Sequence, residues 1–189
     1  NPTGILYNTV GCYDVTLIVS NAGGSDTITK ICYINVTAPL VCGLNAGACP
    51  TPSDSIQVGT GTATINNQSY PNIYGNWYWG TRHQLLYLAS ELQALGFSAG
   101  TIKKLAFNIA SISGTTTYTG FTIKIACTSA TSITTFQTGT TTVYSQTTTI
   151  ASGWNTYTLT TPYNWDGTSN IIIDVCFNNS SYTTNSPTY

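Results

Sequence analysis

Between Tyr7 and Val36 the chain reads as two β-strands joined by a glycine-rich turn, and such a pair does not stand alone. Tyr13, Val15, Leu17 and Val19 alternate with Asp14, Thr16, Ile18 and Ser20, the period-2 pattern of a strand with one face in a core. Asn21 to Ser25 supplies the turn, and Thr27 to Val36 the return strand. An isolated hairpin is marginal in water, and Asn1 to Leu6 offers no further strand. The expectation is that completing strands come from upstream sequence or from a neighbouring molecule.

The rest of the chain carries the same bias. Threonine makes up about a fifth of the residues, and its β-branched side chain suits a pleated surface. Charged residues are only 6%, against about 25% in ordinary domains. With 41% hydrophobic and 12% aromatic residues the chain can fill a core and is not a disordered polymer. No apolar run approaches the roughly 20 residues of a membrane-spanning helix. A net charge of -1, with the basic residues scattered, leaves no phosphate-neutralising patch, so nucleic acid is not an expected partner. A surface of threonine, serine, asparagine and tyrosine, lacking the charge that keeps monomers apart, suits faces covered by neighbours or sugars, or a molecule in high salt.

Six cysteines point to an oxidising compartment. Cys12 and Cys32 fall on the two hairpin strands, Cys42 and Cys49 bracket a short loop, and Cys127 and Cys176 each end a predicted strand. The spacing favours disulfides 12–32, 42–49 and 127–176, among fifteen pairings. Zinc is the competitor, but no Cys-x-x-Cys occurs and His83 is the sole histidine. No cofactor is expected.

Three segments follow from composition: residues 1–37 as the hairpin unit, a Pro/Cys-rich linker over 38–53, and a larger unit over 54–189. Predicted strands in the larger unit run from Ser55 to Ile65, Arg82 to Leu88, Thr101 to Ile112, Phe121 to Thr128, Thr140 to Thr147, Trp154 to Leu159 and Ile171 to Phe177. A short helix over Ala89 to Leu95 stops at Gly96. The fold class is all-β: the strands of the hairpin unit, then a jelly-roll-like β-sandwich with one short helix.

Two resemblances add to this. Residues Asn1, Pro2, Tyr7, Gly11, Tyr13, Val15, Thr16, Leu17, Asn21, Gly24 to Thr27, Tyr33, Ile34 and Val36 resemble the last two strands of a PKD domain, an Ig-like sandwich of extracellular proteins. The family's earlier strands and its W-x-F-G-D-G segment have no counterpart here. Over about Thr60 to Asn185, the ordered motifs R-x-Q-x-L-Y-x-A-S-E-L, A-G-T-I-K-x-L-A-F-N, G-F-T-I-K and P-Y-N-W-D-G-T-S-N-I-I-I-D-V-C-F-N-N resemble a β-sandwich module of large surface proteins of Bacteroidetes, often exported by type IX secretion. In that family the module continues past the segment ending near Tyr189, so the second domain is expected to be cut as well. These resemblances imply scaffolding or adhesion at the cell surface rather than chemistry.

The carboxylates Asp14, Asp26, Asp54, Glu91, Asp166 and Asp174 are scattered. A glycosidase needs two of them facing each other across roughly 5–10 Å. Asp166 reads as an Asx turn before Gly167, and Glu91 as a helix cap or a partner of Arg82. His83 has no nucleophile motif beside it, since G-x-S-x-G is absent. Aromatic residues are the stronger candidates: Tyr74, Trp77, Tyr78 and Trp79 crowd one loop, suited to a protein interface or to stacking on sugars. Asp26-Thr27-Ile28 and Asp54-Ser55-Ile56 match the Asp-Ser/Thr-aliphatic pattern that Bacteroidetes use for O-glycosylation, which makes Thr27 and Ser55 candidate acceptors. The expected function is a non-enzymatic, load-bearing segment of a secreted adhesin or extracellular filament that associates with copies of itself. The alternative is a carbohydrate-binding accessory module of a secreted hydrolase or peptidase.

Overall fold

A computed structural model describes residues 4–44, 55–59 and 62–189. The chain divides into two units, Asn1–Pro39 and Leu40–Tyr189.

In the first unit β1 (Gly11–Asn21) and β2 (Gly24–Val36) pair antiparallel, closed by Ala22 and Gly23. The Gly23 N–H donates to Asn21 Oδ1 at 2.8 Å, an Asx closure that fixes the turn. Register sets Leu17 against Ile28 and Val15 against Lys30. Val15, Leu17, Val19 and Ile28 therefore share one face with Asp26 and Lys30, while Thr16, Ile18, Thr27 and Thr29 share the other. Beyond Lys30 the strands fall out of step, because Asp14 alone faces Ile31, Cys32 and Tyr33. This bulge holds Cys32 at φ 55°, with its N–H donating to Asp14 Oδ1 at 2.7 Å. It also brings Cys32 beside Cys12, and the expected 12–32 disulfide forms with Cα atoms 4.9 Å apart.

The second unit is an antiparallel β-sandwich. One sheet has the order β4 (Gly80–Tyr87), β9 (Asn170–Asn178), β6 (Thr117–Thr128), β7 (Thr141–Thr149). The other has the order β3 (Gly43–Leu44), β8 (Gly153–Trp165), β5 (Gly100–Ile109). The order β4-β9-β6-β7 against β5-β8 is that of a jelly roll whose middle hairpin is replaced by the loop 129–140. Between β4 and β5 lies α1 (Ala89–Ala94). Glu91 Oε2 accepts the Leu88 N–H at 3.0 Å, so Glu91 serves as a cap rather than as a partner of Arg82. Gly96 ends the helix at φ 91°, a conformation that costs glycine nothing.

The core is aromatic at its centre. Phe121 stacks between Tyr74 and Tyr157, at centroid distances of 5.6 and 5.0 Å, and Tyr118 meets Phe177 edge-on at 4.7 Å. Ile123, Ile125, Ile173 and Val175 line the inner face of the four-stranded sheet. β9 runs between β4 and β6, and residues 171–175 are buried on both faces, hence an apolar run interrupted only by Asp174.

Four expectations need correction. Over Ser55 to Ile65 the described residues form no strand: Val58 is exposed and Gly59 sits at φ 85°, so the alternation has no sheet face to cover. β8 extends past Leu159 to Trp165, because its pairing with β5 skips from Thr158 to Tyr163. Pro162, which has no N–H for a ladder, sits inside that irregularity. Within the expected linker, residues 40–44 group with the second unit, since β3 pairs with β8; residues 45–53 lie outside the described residues. Finally, Cys42 bonds Cys127, with Cα atoms 6.1 Å apart, and Cys176 has no disulfide partner among the described residues. Antiparallel register explains this: Cys127 at one end of β6 faces Ile171, while Cys176 faces Thr122 toward the other end. Two strand-ending cysteines on antiparallel neighbours lie far apart along the ladder. Cys49, with the whole of 45–54, lies outside the described residues.

Candidate functional site

The aromatic loop before β4 and the segment after β9 meet at one end of the four-stranded sheet, because Gly80 pairs with Asn178. Residues 72–76 are buried and pinned by amides. Asn72 Oδ1 accepts the Tyr74 N–H at 2.9 Å, while the buried Asn72 Nδ2 has no partner, a cost carried in fixing this turn. Asn76 Nδ2 donates to the Ser181 carbonyl and to Thr183 Oγ1, both at 3.0 Å, and Asn76 Oδ1 accepts from Asn179 Nδ2 at 2.9 Å. Asn185 Oδ1 accepts the Trp77 N–H at 3.0 Å. The loop and the segment 178–186 are thus zipped together by a buried asparagine network.

Out of this base the chain emerges at once. Trp77, Tyr78 and Trp79 are 43%, 72% and 54% exposed, and Tyr182 opposite is 61% exposed. Trp77 meets Tyr182 edge-on at 6.0 Å, and Tyr78 leans on Tyr70 at 5.8 Å. Trp79 adopts φ 72°, a left-handed conformation costly for a bulky side chain. Its N–H donates to the Asn76 carbonyl at 3.2 Å and its carbonyl accepts the Asn179 N–H at 3.0 Å.

Tyr74, grouped with these rings by sequence, belongs elsewhere. It is fully buried, its hydroxyl shares a 2.7 Å hydrogen bond with Tyr157, and its carbonyl accepts from Tyr118 at 3.2 Å. Burial pushes its phenol pKa far up, reinforced by the neighbouring tyrosines. Tyr74 is a core residue, not a surface platform.

The titratable groups have structural partners. Asp14 holds Cys32, and Asp26 Oδ1 accepts the Thr27 N–H at 2.8 Å. Asp166 makes the expected Asx turn, taking the Thr168 and Ser169 N–H groups on Oδ1 and the Ser169 hydroxyl on Oδ2 at 2.6 Å. Burial alone would raise its pKa, but those donors hold it below the usual carboxylate range. His83 Nε2 lies 2.7 Å from Thr81 Oγ1, and the ring stacks on Tyr70 at 5.7 Å. Burial pushes its pKa down, so it is neutral at pH 7. Cys42, Cys127 and Asp166 place their ligand atoms within 4.8 Å of one another. The two sulfurs are bonded to each other and have no thiolate for a metal.

Sequence reasoning missed one cluster, on the outer face of the four-stranded sheet. Arg82 on β4 binds the buried Asp174 on β9, with Gln84 Nε2 donating to the same carboxylate at 2.8 Å. Gln84 also grips the backbone of Gln137, accepting its N–H at 2.7 Å and donating to its carbonyl at 2.9 Å. Arg82 lies 4.6 Å above the Phe136 ring. The network ties the loop 129–140 to the sheet. The signal was a lone acid inside the I-I-I-D-V run, a buried charge that demands a partner.

Both candidate glycosylation residues, Thr27 and Ser55, are exposed; Asp54 lies outside the described residues. No helix among the described residues is long and apolar enough to cross a membrane. Compared with protein-family models, curated proteins and solved structures, the chain matches none.

Proposed function

We propose that this chain is a non-enzymatic, load-bearing segment of a large secreted surface adhesin or extracellular filament, and that it associates with copies of itself. The observation that carries the reading is the hairpin of the first unit. Leu17, Val19 and Ile28 are each 58% exposed on one face, and neither strand has a second neighbour among the described residues of that unit. Exposed edges beside a face with apolar Leu17, Val19 and Ile28 at its centre are what strand addition uses. The Cys12–Cys32 bond holds the hairpin together, and Cys42–Cys127 cross-links the β3 end of one sheet to β6 of the other. These bonds suit an oxidising, extracellular setting and resist extension. The resemblance to PKD and type IX-exported modules supports the same reading.

Sedimentation of the chain over a range of concentrations tests it. Reversible association that disappears in Leu17→Lys, with the second unit still folded, supports the proposal. A monomer at every concentration contradicts it.

One observation favours a second reading, a carbohydrate-binding module: the Trp77-Tyr78-Trp79 loop presents its rings to solvent.

A further inference from the structure

We infer that the end of the sandwich formed by residues 77–79 and 178–182 is a binding platform for a neutral glycan chain, stacked on Trp77, Tyr78 and Trp79. The inference gives a place and a ligand class to the second reading above and is independent of hairpin-mediated association.

Three features of the site point to this ligand. The first is chemical character. Neither 66–80 nor 178–188 contains a charged residue. The exposed side chains around the rings include those of Asn178, Ser180 and Ser181, and the aliphatic Ile73 is buried. A patch of rings, amides and hydroxyls without exposed aliphatics matches an uncharged polyhydroxylated ligand, whose pyranose C–H face stacks on an aromatic ring. Protein interfaces also use Trp and Tyr anchors, but with arginine enriched beside them, and neither segment here contains an arginine.

The second is presentation. The base beneath the rings is cross-linked by the buried Asn76 and Asn185 and the half-buried Asn179, so the backbone that carries the rings is fixed before any ligand arrives. Preorganisation of this kind lowers the entropic cost of binding.

The third is strain. Trp79 is held at φ 72° in a turn that closes through the Gly80 N–H donating to the Tyr78 carbonyl at 2.8 Å. The indole itself is 54% exposed, so the conformation does not serve to bury it. Strained bulky residues with solvent-facing rings occur where a ligand is clamped.

The test is titration of the chain with cellohexaose, xylohexaose, mannohexaose and chitohexaose, read by tryptophan fluorescence and by calorimetry. Trp77→Ala and Tyr78→Ala are the site variants, and the exposed Trp154→Ala on β8 is the control; thermal unfolding confirms that each is folded. The expected result is saturable binding of at least one oligosaccharide, weakened about tenfold in either site variant and unchanged in the control. No binding by any of the four, or binding that survives both site substitutions, overturns the inference. Concentration-dependent self-association lost in the site variants, without glycan binding, also overturns it and assigns the rings to a protein contact. Loss of association in Leu17→Lys leaves these readouts untouched, so the two proposals fail separately.

Discussion

Asp174 sits fully buried on the outer face of the four-stranded sheet with its carboxylate held by Arg82, whose Nη2 donates to Oδ2 at 2.6 Å. The adjacent Gln84 donates to the same oxygen and carries the backbone of Gln137, so one buried acid organises a strand pair and the loop above it. A carboxylate is tolerated at the centre of β9 only because its partners arrive from the neighbouring strand.

This arrangement predicts an acid-sensitive contribution to stability. Burial by itself raises the Asp174 pKa, but hydrogen bonds from Arg82 and Gln84 and the positive charges of Arg82 and Lys124 outweigh it and hold the value below the usual range. With the folded pKa depressed below about 3.9 in the unfolded chain, the contribution is complete above that value and is lost as pH falls through the folded one. Arg82 is 43% exposed, so solvent screens the pair and the effect of Asp174→Asn is about 1–2 kcal/mol. Denaturation midpoints measured from pH 7 to pH 2 should fall less steeply in acid for the variant than for the parent.

The Cys42–Cys127 bond closes a sequence separation of 85 residues. Removing it as the Cys42→Ser/Cys127→Ser pair is expected to cost about 2–5 kcal/mol, read as a lower midpoint in non-reducing denaturant. Cys176→Ser, removing a thiol that bridges nothing among the described residues, should leave the midpoint nearly unchanged.

Two rings three residues apart in one loop should behave oppositely. Tyr74→Phe leaves the Tyr157 hydroxyl without its 2.7 Å partner, at a cost of about 1 kcal/mol, and Tyr74→Ala should cost about 3–5 kcal/mol. Trp77→Ala, at an exposed position, should stay within about 0.5 kcal/mol of the parent. Thermal unfolding of the three variants side by side checks this.

Much of the fold was legible because alternation and turn residues are local signals. Tyr13 to Val19, Phe121 to Thr128 and the helix stopping at Gly96 all declared themselves this way. What failed depends on topology. That Cys127 meets Cys42 follows from sheet order and register, which spacing along the chain does not encode. The alternation over Ser55 to Ile65 had the right period but no partner strand among the described residues, and the second half of β8 lies beyond the register break that contains Pro162. In the aromatic loop, composition flagged the region but not which ring turned inward. That choice is made by buried amides from 178–186, more than a hundred residues away. Asp174 was visible as an oddity whose partner, Arg82, only the β4–β9 pairing reveals.

The central claim is self-association into a load-bearing assembly, and the most direct measurement is electron microscopy of the native material containing this chain, with class averages tested for rotational or helical symmetry. Ordered filaments or rings in which the segment repeats, with density beside the Leu17–Ile28 face of the hairpin, are the predicted result. Isolated beads without symmetry, tethered to a larger globular body and leaving that face bare, would contradict the account.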